Sequence, residues 1–226
     1  MKYREVVAGI FIDRPNRFVA HVEIEGSIHT VHVKNTGRCK ELLIYGAVVY
    51  LAVSDNPARK TKYDLIAVEK ADFGLINIDS QAPNAVVKEW LLRQNYDYTR
   101  PEYTYGNSRI DFYMEKNNDK YLLEVKGCTL EINGVGYFPD APTERGVKHL
   151  RELAAASGQG YKCYLAFVIQ MEGVHLVRPN VEIQPEFGQA MKDAVDAGVE
   201  ILFLECKVTK DSLECVEFHA DSTHRG

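Results

Sequence analysis

With 226 residues, 46% hydrophobic and 26% charged, the chain is long enough for one large domain or two modest ones, and its composition is that of an ordinary globular protein. A net charge of −5 excludes a wholly basic nucleic-acid binder, but a local basic surface, or a cation held by acidic side chains, still supplies positive potential where a polyanion docks. Five scattered cysteines, Cys39, Cys128, Cys163, Cys206 and Cys215, show no C-x-x-C spacing, which argues against a disulfide framework or zinc knuckle and fits a reducing cytoplasm.

The opening Met1-Lys2-Tyr3-Arg4-Glu5 leads into an alternating strand, not a signal-peptide hydrophobic region. No apolar run approaches the ~18 residues that span a bilayer, so a cytoplasmic protein without a membrane partner is expected. Residues 4–53 read as short strands. Val6–Ile12 is an apolar run, Arg17–Ile24 alternates, Glu25-Gly26 makes a turn, and Ser27–Val33 alternates again. A short helical piece is predicted near Lys40–Leu43. Further strands fall at Val48–Val53, Asp64–Glu69 and Gly74–Asp79. Closely spaced strands with so little helix predict a small β-barrel, for example an OB-fold, over residues 1–82.

A break falls at Ser80-Gln81-Ala82-Pro83-Asn84, and the pattern then changes. Ala85–Gln94 carries Val86, Val87, Trp90 and Leu91 at helical spacing, with Asn84 as the expected cap. Strands are predicted around Arg109–Met114, Lys120–Val125 and Tyr161–Gln170. A helix over Thr143–Ser157 stops at Gly158, and a helix over Pro185–Ala197 precedes the strand Glu200–Leu204. This alternation predicts an α/β sandwich over residues 83–226.

The sharpest chemical signal is Ser108-Arg109-Ile110-Asp111-Phe112 followed by Leu123-Glu124-Val125-Lys126-Gly127. Residues two apart on a strand share a face, so Glu124 and Lys126 point one way and Val125 the other. Asp111 joins them if the two strands pair through the polar turn at Lys116–Asp119. Two carboxylates at one spot repel unless a hard cation such as Mg²⁺ lies between them. Such a cation polarises a phosphate oxygen and acidifies water, and Lys126 can stabilise charge on phosphorus. The arrangement suits phosphodiester hydrolysis. An E-x-K strand also reads as a solvated ion pair, and Glu89, a candidate third acid, also reads as a surface helix carboxylate.

Arg145, His149 and Glu152 form a stripe beside the apolar face of the Thr143–Ser157 helix, whose start together with cations suits phosphate. The same stripe is what a plain charged helix exterior would show. Gly146 is unusual inside a helix, costing ~1 kcal/mol against Ala, and points to a close approach. In the first domain, Lys34-Asn35-Thr36-Gly37-Arg38-Cys39-Lys40 combines three cations with a glycine turn that can face phosphates, or can simply cap a short helix. Arg59-Lys60-Thr61-Lys62 reads as a solvated loop tip. His21, His29 and His32 read as barrel surface without metal-site spacing.

Taken together, Asn35-Thr36-Gly37-Arg38, Ser108–Phe112, Glu124-Val125-Lys126 and the long string Phe138-Pro139-Asp140-Ala141-Pro142-Thr143-Glu144-Arg145-Gly146-Val147-Lys148-His149-Leu150-Arg151-Glu152-Leu153 resemble the sugar fermentation stimulation protein A (SfsA) family. The resemblance extends from Arg17-Phe18 through Arg178-Pro179 to Ala197-Gly198-Val199-Glu200. It implies an OB-like domain, a domain resembling PD-(D/E)xK nucleases, DNA binding and a regulatory link to sugar metabolism. Asp111, Glu124 and Lys126 match the nuclease core, Glu89 its helix acid, and Gln170 a polar position at a strand end. One departure is Ala85-Val86-Val87-Lys88, where related sequences tend to carry arginine, leucine, valine and glutamate; it removes a basic and an acidic neighbour of Glu89. Cys128 has no role that follows.

The expectation is therefore a DNA-binding protein with a nuclease-like site, Asp111, Glu124, Lys126 and Glu89, that takes Mg²⁺ or Mn²⁺. Asn35, Thr36, Gly37, Arg38 and Lys40 in the barrel, and Arg109, Arg145, Lys148 and His149 in the sandwich, are the expected contacts to DNA of no strong sequence preference. The alternative is a DNA-associated regulator of sugar metabolism that uses the nuclease fold as a platform. No helix-turn-helix pattern is present.

Overall fold

A computed structural model describes residues 1–35 and 37–221. The first six strands are β1 (Val6–Asn16), β2 (Val19–Ile24), β3 (Ser27–Val33), β4 (Val48–Val53), β5 (Tyr63–Lys70) and β6 (Gly74–Asn77). They form a sheet of order β3-β2-β1-β4-β5-β6, and β3 also pairs with β5, so the first five strands close into an OB-like barrel. Closure needs strong bending. β1 supplies it with register shifts after Phe11 and after Asp13, and with Gly9, where a Cβ would lie 2.5 Å from Val22 Cγ1 and 2.8 Å from the Glu23 carbonyl. Alternating β2 buries Ala20, Val22 and Ile24, whereas β5 is buried on both faces from Tyr63 to Val68.

That double burial traps Asp64. It is matched by Arg59, whose Nη1 and Nη2 donate to Oδ2 at 2.9 Å and Oδ1 at 2.5 Å, by His32 Nδ1 at 3.0 Å and by Lys34 at 3.6 Å. Arg59 is therefore an anchor, and the cluster Arg59–Lys62 is not simply a solvated loop tip. The predicted helix near Lys40–Leu43 is a single turn, in which the Cys39 carbonyl accepts from Leu42 at 3.2 Å and Leu43 at 2.9 Å. Two buried side chains, Cys39 and Leu42, anchor the turn, too little to propagate a helix.

The chain then enters α1 (Ala82–Leu91), β7 (Tyr98–Tyr105), β8 (Ser108–Lys116), β9 (Asp119–Cys128), β10 (Leu130–Ile132), β11 (Val135–Phe138) and α2 (Glu144–Ser157). It ends with β12 (Lys162–Ile169), β13 (Val177–Pro179), α3 (Pro185–Asp196), β14 (Glu200–Thr209) and β15 (Ser212–Ala220). A second six-stranded sheet runs β15-β14-β12-β9-β8-β7, with β9, β12 and β14 parallel. The strands β10, β11 and β13 make a small third sheet. α1 covers one face of the large sheet through Ala82, Val86, Val87, Trp90 and Leu91, while α2 and α3 cover the other. Leu150 and Leu153 of α2 are buried, each stabilising the fold by about 2 kcal/mol.

Helix α1 starts earlier than predicted. Its cap is Gln81, with no side-chain bond, and Ala82 and Pro83 are buried in the first turn, where proline's missing N–H costs nothing. Asn84 lies inside the helix and is not its cap. α2 is capped by the Thr143 side chain, which accepts from the Gly146 N–H at 3.0 Å. A Cβ at Gly146 would meet Thr143 Cγ2 at 2.9 Å and Phe187 at 3.3 Å, so the glycine answers to packing beneath α3. The two halves share one apolar core running from Phe11 and Val22 to Phe167 and Phe203. They are also joined by the Ile76–Met171 bridge and by the Asn77 N–H, which donates to the Gln170 carbonyl at 2.9 Å. Among the described residues, no helix is long and apolar enough to cross a membrane.

Candidate metal centre and nucleic-acid interface

β8 and β9 pair with Phe112 opposite Leu123, and extending that register sets Asp111 opposite Glu124. The ladder ends there: the Val125 N–H donates to Asp111 Oδ2 at 2.8 Å, and Asn84 Nδ2 of α1 donates to Asp111 Oδ1 at 2.9 Å. Leu123 and Val125 point into the core under α1, so Glu124 and Lys126 share the opposite face, toward α2. Lys126 Nζ donates to Glu124 Oε1 at 2.6 Å. On the same oxygen lies His149 Nδ1, from α2. Arg145 Nε donates to His149 Nε2 at 3.3 Å, which leaves Nδ1 as the protonated nitrogen that donates to Glu124.

Burial pushes the Asp111 carboxyl above its ordinary value, and the Glu124 charge adds to that. Burial would also raise Glu124, but Lys126 and His149 outweigh it and hold its carboxyl below its ordinary value. Glu124 is only 2% exposed, and its second oxygen, Oε2, is buried with no hydrogen-bond partner. A buried anionic oxygen without a donor is costly, and a cation relieves that cost. Two neighbouring carboxylates, one with an orphaned oxygen, are a donor set that suits a hard divalent cation. Among the described residues no group of three His, Cys, Asp or Glu side chains converges, so further ligands would be water or phosphate oxygens, as Mg²⁺ prefers.

Glu89 does not join this pair. It follows Asn84 by five residues, about 140° around α1, and its exposed carboxylate binds the Met1 ammonium at 2.7 Å. Gln170 is fully buried at the junction of the two halves. Its Nε2 donates to Asn77 O at 3.0 Å, Asn77 Oδ1 at 2.9 Å and Asp79 O at 3.1 Å. Its Oε1 lies where a Cβ on Gly127 would come within 2.2 Å, so only glycine fits after Lys126.

Arg109, Arg145 and Lys148 are exposed around a cleft of about 510 Å³, also lined by Asn107, Ser108, Glu144 and His149. His149 is 4% exposed and engaged by Glu124 and Arg145, so it is a buried partner of the acidic pair and not a surface contact to DNA. In the barrel loop, Asn35 is also internal: its Nδ2 donates to the Ile78 carbonyl at 2.8 Å and its Oδ1 accepts from the Gly37 N–H at 2.6 Å. Gly37 packs on Asp140, where a Cβ would lie 2.0 Å from Oδ2. Arg38 and Lys40 are exposed. Thr36 lies outside the described residues.

Two contributors carried little sequence signal. Asn84 was legible only as a helix cap. Arg14 clamps the loop by donating to the carbonyls of Gly37 and Arg38 at 2.9 Å, Asn35 at 2.6 Å and Arg17 at 2.8 Å. The carbonyls of Asn35, Gly37 and Arg38 lie more than 20 positions from Arg14 and leave no motif.

A family model described as the sugar fermentation stimulation protein RE domain matches residues 81–212, and one described as the SfsA N-terminal OB domain matches residues 12–78. The chain is 52% identical to the sugar fermentation stimulation protein homolog of Desulfitobacterium hafniense, over 96% of each chain. It is 53% identical to that of Clostridium beijerinckii, over 96% of this chain and 98% of the relative. The solved structure of Pyrococcus furiosus SfsA in complex with Ca²⁺ matches with a TM-score of 0.81 at 26% identity, covering 96% of this chain and 98% of that one.

Proposed function

The chain belongs to the sugar fermentation stimulation protein (SfsA) family, and from that premise we propose that it binds DNA and hydrolyses phosphodiesters at a PD-(D/E)xK-type site that depends on a divalent metal. The observation that carries this reading is the buried, unpartnered Glu124 Oε2, with Asp111 on the neighbouring strand and Lys126 alongside. Ca²⁺ in the Pyrococcus relative supports a hard cation at an oxygen-rich site.

Asp111 and Glu124 would hold the ion, Mg²⁺ or Mn²⁺ in the working state; when bound it polarises a phosphoryl oxygen and acidifies water. Asn84 and the Val125 N–H fix the Asp111 carboxylate, and His149 fixes Glu124. The Lys126 ammonium, beside Glu124, would offset negative charge building on phosphorus. Arg109, Arg145 and Lys148 border the neighbouring cleft and would grip phosphates irrespective of base sequence. Five free, buried cysteines support a reducing, cytoplasmic setting.

Incubating labelled DNA with Mg²⁺, with Mn²⁺ and with chelator tests the proposal. Cleavage by the wild type only with metal, lost in Lys126→Ala while binding persists, is the expected result. A second reading, a DNA-bound regulator of sugar metabolism without nuclease activity, is favoured by one observation: Glu89 supplies no third acid to the pair. That reading predicts binding without cleavage under every metal condition.

A further inference from the structure

A second cleft, roomier than the one beside Arg145, lies elsewhere in the molecule. It has a volume of about 790 Å³ and lies between the barrel and the sandwich, with Arg17, Arg38 and Lys40 on the barrel side and Phe138, Pro139 and Thr143 on the other. Arg17, Arg38 and Lys40 are exposed, and none has an ion-pair partner among the described residues. The guanidinium of Arg14 adds a fourth positive charge and is spent on backbone carbonyls, not on a carboxylate. Asp140 is the one carboxylate among the residues lining the cleft. It is flanked by Arg38 and Arg14, and burial pushes its carboxyl up. Leu43, Phe138, Pro139 and Pro142 supply apolar surface between the cations. Gly127, next to Lys126 in β9, also lines the cleft.

We propose that this inter-domain cleft binds a single strand of DNA, with Arg17, Arg38 and Lys40 on its phosphates and the apolar wall against its bases. This rests on the DNA-binding reading above and narrows it. The volume is that of a pocket for one organic ligand, roughly 300–1,000 Å³, which admits a few nucleotides of one strand. A duplex presents grooves about 12 and 6 Å wide between two backbones and has no way into such a space. Cations interleaved with apolar faces are the pattern that tracks a single-strand backbone while bases pack against the wall.

Fluorescence anisotropy in chelator tests this without cleavage, using a labelled twelve-nucleotide oligothymidylate and a labelled blunt hairpin duplex. The variants are Lys40→Ala, Arg17→Ala, Ser80→Trp and the control Lys60→Ala. Ser80 is exposed and lines the cleft, so tryptophan there narrows it without changing charge. The wild type should prefer the oligothymidylate. Ser80→Trp should weaken its binding about tenfold and leave the hairpin unaffected. Each cation removed should lower the salt slope for single strands by about 0.7, and Lys60→Ala should change nothing. Equal binding of both DNAs, or oligothymidylate binding unaltered in both Ser80→Trp and Lys40→Ala, overturns the strand assignment and leaves the DNA reading standing. Binding of neither DNA overturns both.

Discussion

His149 on α2 donates from Nδ1 to Glu124 Oε1 on β9, and with Arg145 behind it forms a relay of hydrogen bonds from solvent to the most buried acid of the sandwich. Removing the imidazole would leave Glu124 with Lys126 alone and open a cavity under α2. His149→Ala should lower unfolding stability by about 2–4 kcal/mol in denaturant titrations. His149→Gln, which keeps a donor, should recover about half of that. Because His149 is buried, the glutamine variant should bind duplex DNA as the wild type does.

Metal binding should be visible without any DNA. Ca²⁺, Mg²⁺ or Mn²⁺ should raise the melting temperature of the wild type, with a stabilisation of about 2.7 kcal/mol at a hundredfold excess over the dissociation constant. Asp111→Asn should abolish that response. It should also melt higher than the wild type in chelator at neutral pH, because it removes a buried charge whose carboxyl is held above its ordinary value. A metal response of equal size in both proteins would rule out Asp111 as a ligand.

The barrel has its own pH signature. Burial disfavours the Asp64 charge, but Arg59, His32 and Lys34 outweigh it and hold the carboxyl below its ordinary value. The ionised form therefore stabilises the fold above the unfolded value of about 3.9, and that contribution is lost as the pH falls through the lower folded value. Asp64→Asn should cost on the order of 3 kcal/mol at pH 7, with the deficit vanishing in strong acid. Denaturation curves of both proteins from pH 7 downward would check the convergence.

The cations around the smaller cleft should act on affinity and not on chemistry. On duplex DNA, Arg145→Ala should reduce the log–log salt slope by about 0.9 and weaken all sequences alike. Lys126→Ala should abolish cleavage and leave the slope nearly unchanged. Salt titrations of the wild type and both variants separate the two roles.

The strand phase of Leu123–Gly127 was enough to put Glu124 and Lys126 on one face, because the two-residue period is a local property. What the sequence hid is non-local. Glu124 and His149 are 25 positions apart, and nothing in either segment encodes their meeting. The expected third acid failed for a related reason: helical spacing located α1, but not which of its faces covers Asp111, and that face presents Asn84 instead of Glu89. β7 was obscured by Pro101, which a central strand would exclude but this edge strand tolerates. The short β10 and β11 form a local hairpin, but β11 is held by β13 through pairs 41 positions apart, such as Gly136 with Val177, beyond any local pattern.

Gln170 has a mechanical consequence. Its side chain donates to Asn77 and Asp79 on the barrel side, while its own N–H donates to the Cys128 carbonyl at 3.0 Å in the large sheet. Prising the halves apart would strand these donors and the Asn77 N–H in an apolar seam, so partial opening there gains no intermediate resting state. The amides of Asn77 and Gln170 should then exchange their hydrogens only when the whole chain unfolds, making the seam one of the slowest-exchanging places in the molecule and not a hinge.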